Sequence, residues 1–333
     1  MTASTRPLAE LRASDADEFG GKSANLGELL AARIPIPSGF GLSARAYGEF
    51  VRVTGLEGTI ASALTRGEDD ASKTIGEAMR FAPLPEAVRD ELATAYDAMG
   101  GPPVAVRSSS LGEDSSDATF AGQQESFLWV RGFEQVCDAV RDCWASLYTP
   151  RAIAYRRRLG TAEAAMGVTV QQMVDAEVSG VLFTCNPVSG DPSMVAVNAS
   201  WGLGIAVVGG ETTPDDYLVR KITGEIVRQT VSSKEIEYVA DASGRGTVRR
   251  QVPEERRDAP CLEPDRLAAL VELGRRVEQH FGSHQDVEWA IDRAGSPLVL
   301  QARPVTAMSK TAPKLSGSAL SLVMGTFGVP DED

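Results

Sequence analysis

Asp286-Val287-Glu288-Trp289-Ala290-Ile291 and, across a turn containing Gly295-Ser296-Pro297, Leu298-Val299-Leu300-Gln301-Ala302-Arg303 decide the fold of this chain. Apolar and polar residues alternate along both runs, as in strands with one buried face, and the turn residues make the pair an antiparallel hairpin. Setting Ile291 opposite Leu298 aligns the stripe Val287, Trp289, Ile291 with the stripe Leu298, Leu300, Ala302. The two-residue period then puts Glu288 opposite Gln301 and Asp286 opposite Arg303 on the other face. Carboxylate and amide oxygens are donors that Mg²⁺ accepts alongside substrate phosphates, and an adjacent arginine would hold those phosphates. Taken alone, the same row reads equally as a cross-strand salt bridge on a wet sheet face.

Upstream of the hairpin, the texture is that of strands from Val168 onward. Val168–Val174, Gly180–Thr184 and Met194–Asn198 precede the glycine-rich turn Trp201-Gly202-Leu203-Gly204. Tyr217–Ile222 and Glu225–Val231 read as a hairpin around Thr223-Gly224, and Asp265–Phe281 as an amphipathic helix. The first third is mostly helical, with Ser23–Ala32 and Pro85–Met99 the clearest segments. Val104-Ala105-Val106-Arg107 and Ser126–Val130 are strands flanking a Ser-, Asp- and Gly-containing loop; helices follow at Phe133–Leu147 and Pro150–Leu159.

Four further sites suggest phosphate or base chemistry. Gly20-Gly21-Lys22-Ser23 is not a Walker A loop, because Ala16 stands where that motif needs glycine; it leaves a lysine at a helix N-terminus, where free N–H groups favour an anion. Arg107 closes an apolar strand and can grip a polyphosphate through paired donors. Thr119-Phe120-Ala121-Gly122-Gln123-Gln124 could close backbone amides over a phosphate. Gln171-Gln172-Met173-Val174 runs from a strand into a possible hinge, the setting a nucleobase needs. Each also has an ordinary reading as a surface charge, a glycine loop or a half-buried strand.

Composition bounds the function. With 333 residues, Lys+Arg 33 and Asp+Glu 46, the net charge is −13, and 43% of residues are hydrophobic. The length suits about two domains or two lobes. An acidic chain of this kind is a poor sequence-independent nucleic-acid binder, which would need clustered Lys and Arg. No run is long and apolar enough for a membrane span and the N-terminus lacks a secretory layout, so a cytoplasmic protein is expected. Cys137, Cys143, Cys185 and Cys261 are widely spaced, and His280 and His284 are the sole histidines, a set that suits neither structural zinc nor a disulfide framework.

Lys22 after Gly-Gly, Val106-Arg107-Ser108-Ser109, Phe120-Ala121-Gly122-Gln123-Gln124, Gln171-Gln172-Met173-Val174, Gly180-Val181-Leu182-Phe183-Thr184, Asn186-Pro187, Trp201-Gly202-Leu203-Gly204, Asp286-Val287-Glu288-Trp289 and Gln301-Ala302-Arg303-Pro304 occur in this order. The series resembles the ATP-binding domain shared by phosphoenolpyruvate synthase, pyruvate phosphate dikinase and rifampin phosphotransferase, over about residues 15–308. The resemblance implies an α+β, ATP-grasp fold in which two lobes clamp MgATP. The expected division is 1–165 for the N-terminal lobe, 166–308 for the C-terminal lobe and 309–333 for a tail or linker.

By the same resemblance, Lys22, Arg107 and Arg303 are phosphate ligands with a catalytic role. Gly122 and Ser126 belong to a lid, Gln171, Gln172, Met173 and Val174 to the adenine hinge, and Glu288 and Gln301 to the Mg²⁺ site beside Asp286. Where the family usually places a glutamate after Trp-Gly-Leu-Gly, this chain has Ile205. The complete enzymes carry a phosphohistidine on a swivelling domain and bind the acceptor in a third, and the expectation is that neither belongs to this chain. The expectation is an ATP-binding subunit of a split phosphotransferase, resembling phenylphosphate synthase, whose partner subunit supplies the histidine and the small-molecule acceptor site. A non-catalytic nucleotide-binding subunit and an excised domain of a full-length phosphoenolpyruvate synthase are the alternatives, although Met1 and Pro330–Asp333 read as natural ends. His280 and His284 are expected to pack or cap rather than carry phosphate.

Overall fold

The computed structural model describes residues 3–111, 125–159, 164–244 and 246–305. They divide into two units, one of Met1–Glu28, Ser38–Met173 and Gly244–Gly246, the other of Leu29–Pro37, Val174–Ser243 and the residues from Thr247 onward.

The first unit is built on a five-stranded sheet of β1 (Thr5–Pro7), β2 (Gly39–Leu42), β3 (Val104–Ser110), β4 (Ser126–Val130) and β5 (Met166–Gln172), in the order β1-β2-β5-β3-β4 with every pair antiparallel. Its helices are α1 (Ala16–Phe19), α2 (Gly21–Ala31), α3 (Ala44–Val53), α4 (Leu56–Ala63), α5 (Glu68–Phe81), α6 (Glu86–Ala98), α7 (Phe133–Ala145) and α8 (Pro150–Leu159), the last turn of α2 falling in the second unit. Alternation along β3 and β5 sends Val104, Val106, Val168 and Val170 into one core with Phe50, Ile75, Met79, Val88, Leu92, Val140 and Trp144 from the helices. Phe50 stacks on Trp144 with ring centroids 5.0 Å apart. The opposite face carries Arg107, Ser109, Thr169 and Gln171.

The second unit holds a six-stranded antiparallel sheet. Its strands are β6 (Ala176–Phe183), β7 (Met194–Trp201), β8 (Asp215–Arg220) and β9 (Ile226–Thr230), then, after a separate hairpin of β10 (Ile236–Ala240) and β11 (Thr247–Gln251), β12 (Gln285–Asp292) and β13 (Pro297–Pro304). The order is β13-β12-β6-β7-β8-β9. The unit's helices are α9 (Ile205–Val208), α10 (Glu254–Arg257) and α11 (Pro264–Phe281). In α11, Leu267, Leu270, Val271, Gly274 and Val277 recur at helical spacing and are buried. A side chain at Gly274 would meet Leu182 Cδ2 at 2.6 Å, so this glycine sets how closely α11 approaches β6.

The α+β class agrees with the sequence, and two details differ. The expected boundary at 165/166 assigns β5 to the second lobe, but β5 pairs with β2 and β3, and the units divide after Met173. In the final hairpin, Ile291 pairs with Pro297 and Ala290 with Leu298, one residue away from the expected register. A bulge between Glu288 and Trp289 absorbs the offset, so Glu288–Gln301 and Asp286–Arg303 face each other as expected. Among the described residues no helix is long and apolar enough to cross a membrane.

Candidate functional site

In the first unit, the pairings Arg107–Thr169 and Ala105–Gln171 place Arg107, Thr169 and Gln171 on the face opposite the core. Gly39 and Gly41 lie beside them on β2 and leave that face open to α1 and α2. A Cβ on Gly41 would come within 3.0–3.2 Å of Leu11, Phe19 and Ser23. Gly20 has φ 81 and ψ 158, a region open essentially to glycine alone, and a Cβ there would lie 2.2 Å from Ser109 O. The Gly20-Gly21 pair is thus a close-approach device that brings the start of α2 against β3.

That approach delivers Lys22 and Ser23. Lys22 is 5% exposed and its Nζ donates to Ser108 O at 2.9 Å; Arg107 is 8% exposed. Ser23 N donates to Ser109 Oγ at 3.3 Å, and Ser23 Oγ and Thr169 Oγ1 share a 2.6 Å hydrogen bond. Gln171 is buried, and its Nε2 has no hydrogen-bond partner among the described residues, leaving a donor for something else. Ser126 is exposed and paired with Arg107, whereas Gly122 lies outside the described residues.

The four residues of the expected hinge do not act alike. Gln172 sits opposite Val104 at the strand end, exposed, its Oε1 accepting from Ser38 Oγ at 2.9 Å. Met173 N donates to Pro103 O, and Val174 O accepts from Ala176 N, each at 2.9 Å. Gln171 alone of the two glutamines therefore shares the face of Lys22 and Arg107.

In the second unit, register carries one row of residues across the sheet: Gln301, Glu288, Val181, Asn198, Asp216 and Thr230. The next row is Arg303, Asp286, Phe183, Ala196, Leu218 and Arg228. Arg303 grips Asp286 through Nε at 2.9 Å and Nη2 at 2.8 Å. Burial pushes the Asp286 carboxyl above its ordinary value; Arg303 opposes that shift and Glu288 adds to it. Val181, Phe183, Ala196 and Leu218 form a buried apolar floor. Asn198 Nδ2 donates to Asp216 Oδ2 at 3.3 Å, while Arg228 donates to Asp216 Oδ1 from Nε at 3.1 Å and Nη2 at 2.7 Å. Asn198 and Arg228 escaped the sequence reading; the available signal was an asparagine inside the apolar run of β7.

The residues around Ile205 are also placed. Gly202 has φ +71, and the N–H of the next residue, Leu203, donates to Tyr238 O at 2.9 Å, fastening the turn to β10. Trp201 Nε1 donates to Arg256 O at 2.9 Å under the Arg256 guanidinium. Of the nearby acids, Glu211 is taken by the Tyr238 hydroxyl at 2.9 Å and Asp215 by buried Lys234 at 2.5 Å, leaving Asp216 on the face of Glu288. His284 Nδ1 lies 2.6 Å from Glu278 Oε1, and His280 packs edge-on against Phe281 in the last turn of α11.

Among the described residues no three His, Cys, Asp or Glu side chains gather as a metal cage. Glu288 and Gln301 offer hard oxygen donors, and Asn198 Oδ1, buried without a hydrogen-bond partner among the described residues, offers a third oxygen on the same face. The set fits Mg²⁺, which takes one or two carboxylates and completes its shell with phosphates and water.

The pyruvate phosphate dikinase AMP/ATP-binding domain family matches residues 16–319. A probable phosphoenolpyruvate synthase of Methanothermobacter thermautotrophicus is 39% identical over 96% of this chain and 48% of the relative. The phosphoenolpyruvate synthase of Pyrococcus furiosus is 36% identical over 91% of the chain and 44% of the relative. The chain thus spans about half or less of the length of the curated relatives it matches. Among solved structures, D-alanyl-alanine synthetase A of Vibrio cholerae aligns with a TM-score of 0.35 at 11% identity, covering 95% of this chain and 62% of that one. Biotin carboxylase of Campylobacter jejuni aligns at 0.34 and 9% identity, covering 92% and 45%. The family match spans nearly the whole described chain, and with it the chain belongs to the pyruvate phosphate dikinase AMP/ATP-binding domain family, as a dikinase-type ATP-binding domain of α+β class.

Proposed function

We propose that this chain is the ATP-binding subunit of a split phosphotransferase, which splits ATP to AMP and phosphate while a phosphoryl group passes to a histidine on a partner subunit. From there it passes to a phenol-like or pyruvate acceptor. The observation that carries the reading is the register that sets Glu288 beside Gln301 and Asp286 beside Arg303 on one sheet face, within a chain of the dikinase ATP-binding family. Lys22 and Arg107 contribute buried cations that bind phosphate oxygens, and Arg303, partly exposed and oriented by Asp286, contributes a further cation. Gln171 Nε2 supplies a donor for the base, next to Gln172, Met173 and Val174, while Ser126, paired with Arg107, would lie over the phosphates. Glu288 and Gln301 would hold Mg²⁺, which when bound supplies charge neutralisation on the transferring phosphates. Catalysis of this class is positioning plus charge stabilisation, so cations fixed by burial suit it.

Phosphorus NMR of ATP with this chain and a histidine-carrier partner tests the reading. AMP with a phosphorylated partner supports it, and ADP as the sole nucleotide product ends it. Glu288→Ala should abolish turnover and leave the circular dichroism spectrum unchanged; wild-type rates from that variant would remove the metal assignment. Ile205, in place of the family's usual glutamate, favours a second reading: nucleotide binding without transfer. Tight ATP binding with no AMP formed in the presence of the partner would select it.

A further inference from the structure

We infer that Asn198 is a further residue of the cation-binding face, its amide oxygen holding a water of the metal's hydration shell. The inference rests on the assignment of Glu288 and Gln301 as the Mg²⁺ donors. Asn198 is 0% exposed, and its Nδ2 is committed to Asp216 Oδ2 at 3.3 Å. Asp216 is itself clamped by Arg228. Turning the amide over would set Oδ1 against a carboxylate that can only accept, so the orientation of Asn198 is fixed. Its Oδ1 is then a buried acceptor with no hydrogen-bond partner among the described residues. Buried acceptors are nearly always satisfied, and phosphate oxygens cannot satisfy this one; it requires a donor or a cation.

The register says which. Asn198 and Glu288 flank Val181 on the same sheet face, two strands apart, so their Cα atoms are separated by roughly 10 Å. Val181 is short, and the two polar side chains rise on either side of it. A cation held by Glu288 would keep waters in its shell, and one of them could donate to Asn198 Oδ1 across that gap. Mg²⁺ gives up water reluctantly, so a protein oxygen placed for its shell is a natural complement. Two residues along the same face of β7, Ser200 Oγ is also buried without a partner among the described residues, so unsatisfied polar atoms gather on this side of the sheet.

Mn²⁺ serves as the probe, its free concentration read by electron paramagnetic resonance with the full chain and a non-hydrolysable ATP analogue. Glu288→Gln should lose most of the bound Mn²⁺. Asn198→Ala should weaken Mn²⁺ binding about tenfold, the loss of one hydrogen bond to a charged group. Asn198→Asp should melt earlier than wild type without metal, because two carboxylates then meet at Asp216, and Mn²⁺ should restore its midpoint. Wild-type Mn²⁺ affinity in Asn198→Ala alongside a loss in Glu288→Gln overturns the inference, as does an Asn198→Asp midpoint that Mn²⁺ leaves unmoved. Undiminished Mn²⁺ binding in Glu288→Gln brings down the metal assignment itself and this inference with it.

Discussion

Lys234 and Asp215 are both without exposed surface, with Nζ and Oδ1 2.5 Å apart. Asp215 also accepts from Ser232 N at 3.0 Å and Cys261 N at 2.7 Å, and Lys234 donates to Ser232 O at 2.6 Å. One carboxylate therefore ties β8 to two loops far away in sequence. In the sequence Asp215 is one of several acids near Ile205; its partner, nineteen residues on and in an irregular segment, gives no local signal. Lys234→Met leaves that carboxylate buried and uncompensated, and should cost about 3–5 kcal/mol in urea denaturation. An unchanged midpoint would show that the pair holds nothing. Burial likewise governs the thiols: Cys137 is pushed up to about 11 and stays protonated at neutral pH.

At the scale of elements, the final hairpin was legible because alternation is a property of neighbouring residues. The bulge at Glu288/Trp289 was not, since it reflects how β12 must meet both β13 and β6. Gly20-Gly21 shows the same limit. Its sequence gives a lysine at the start of a helix, and the structure adds the reason for the glycines: Gly20 seats α2 against β3, with Lys22 presented as a result. Gly20→Ala should therefore destabilise the first unit by about 2 kcal/mol or more, from a glycine-only backbone and a clash with Ser109 O. On the proposed role of Lys22 as a phosphate ligand, it should also weaken ATP binding. Calorimetric melting and nucleotide titration check the two effects; unchanged values in both would mean that the approach of α2 is not set by this glycine.

For the molecule as a whole, the division into units does not follow the chain in order. Leu29–Pro37 belongs with residues beyond Val174, and Val299 N of the edge strand β13 donates to Pro35 O at 2.9 Å. Arg276 reaches Arg33 O at 2.7 Å from α11. A fragment beginning at Val174 lacks this cover and leaves part of an edge strand open, a known route to aggregation. It should be poorly soluble, and fusing Leu29–Pro37 ahead of it should raise its soluble yield and melting temperature. Equal behaviour of the two fragments in size-exclusion chromatography would deny the segment that role.

The sequence by itself determined the local patterns and the family. Period-two alternation, helical spacing and an ordered series of motifs are carried by residues close together, so they survive without coordinates. Tertiary structure decided that Gln171, and not Gln172, joins Lys22 and Arg107, that β5 belongs to the first sheet, and that Asn198 and Asp216 share a face with Glu288. Which strands become neighbours depends on burial and pairing between segments tens of residues to more than a hundred apart, beyond the reach of a local pattern.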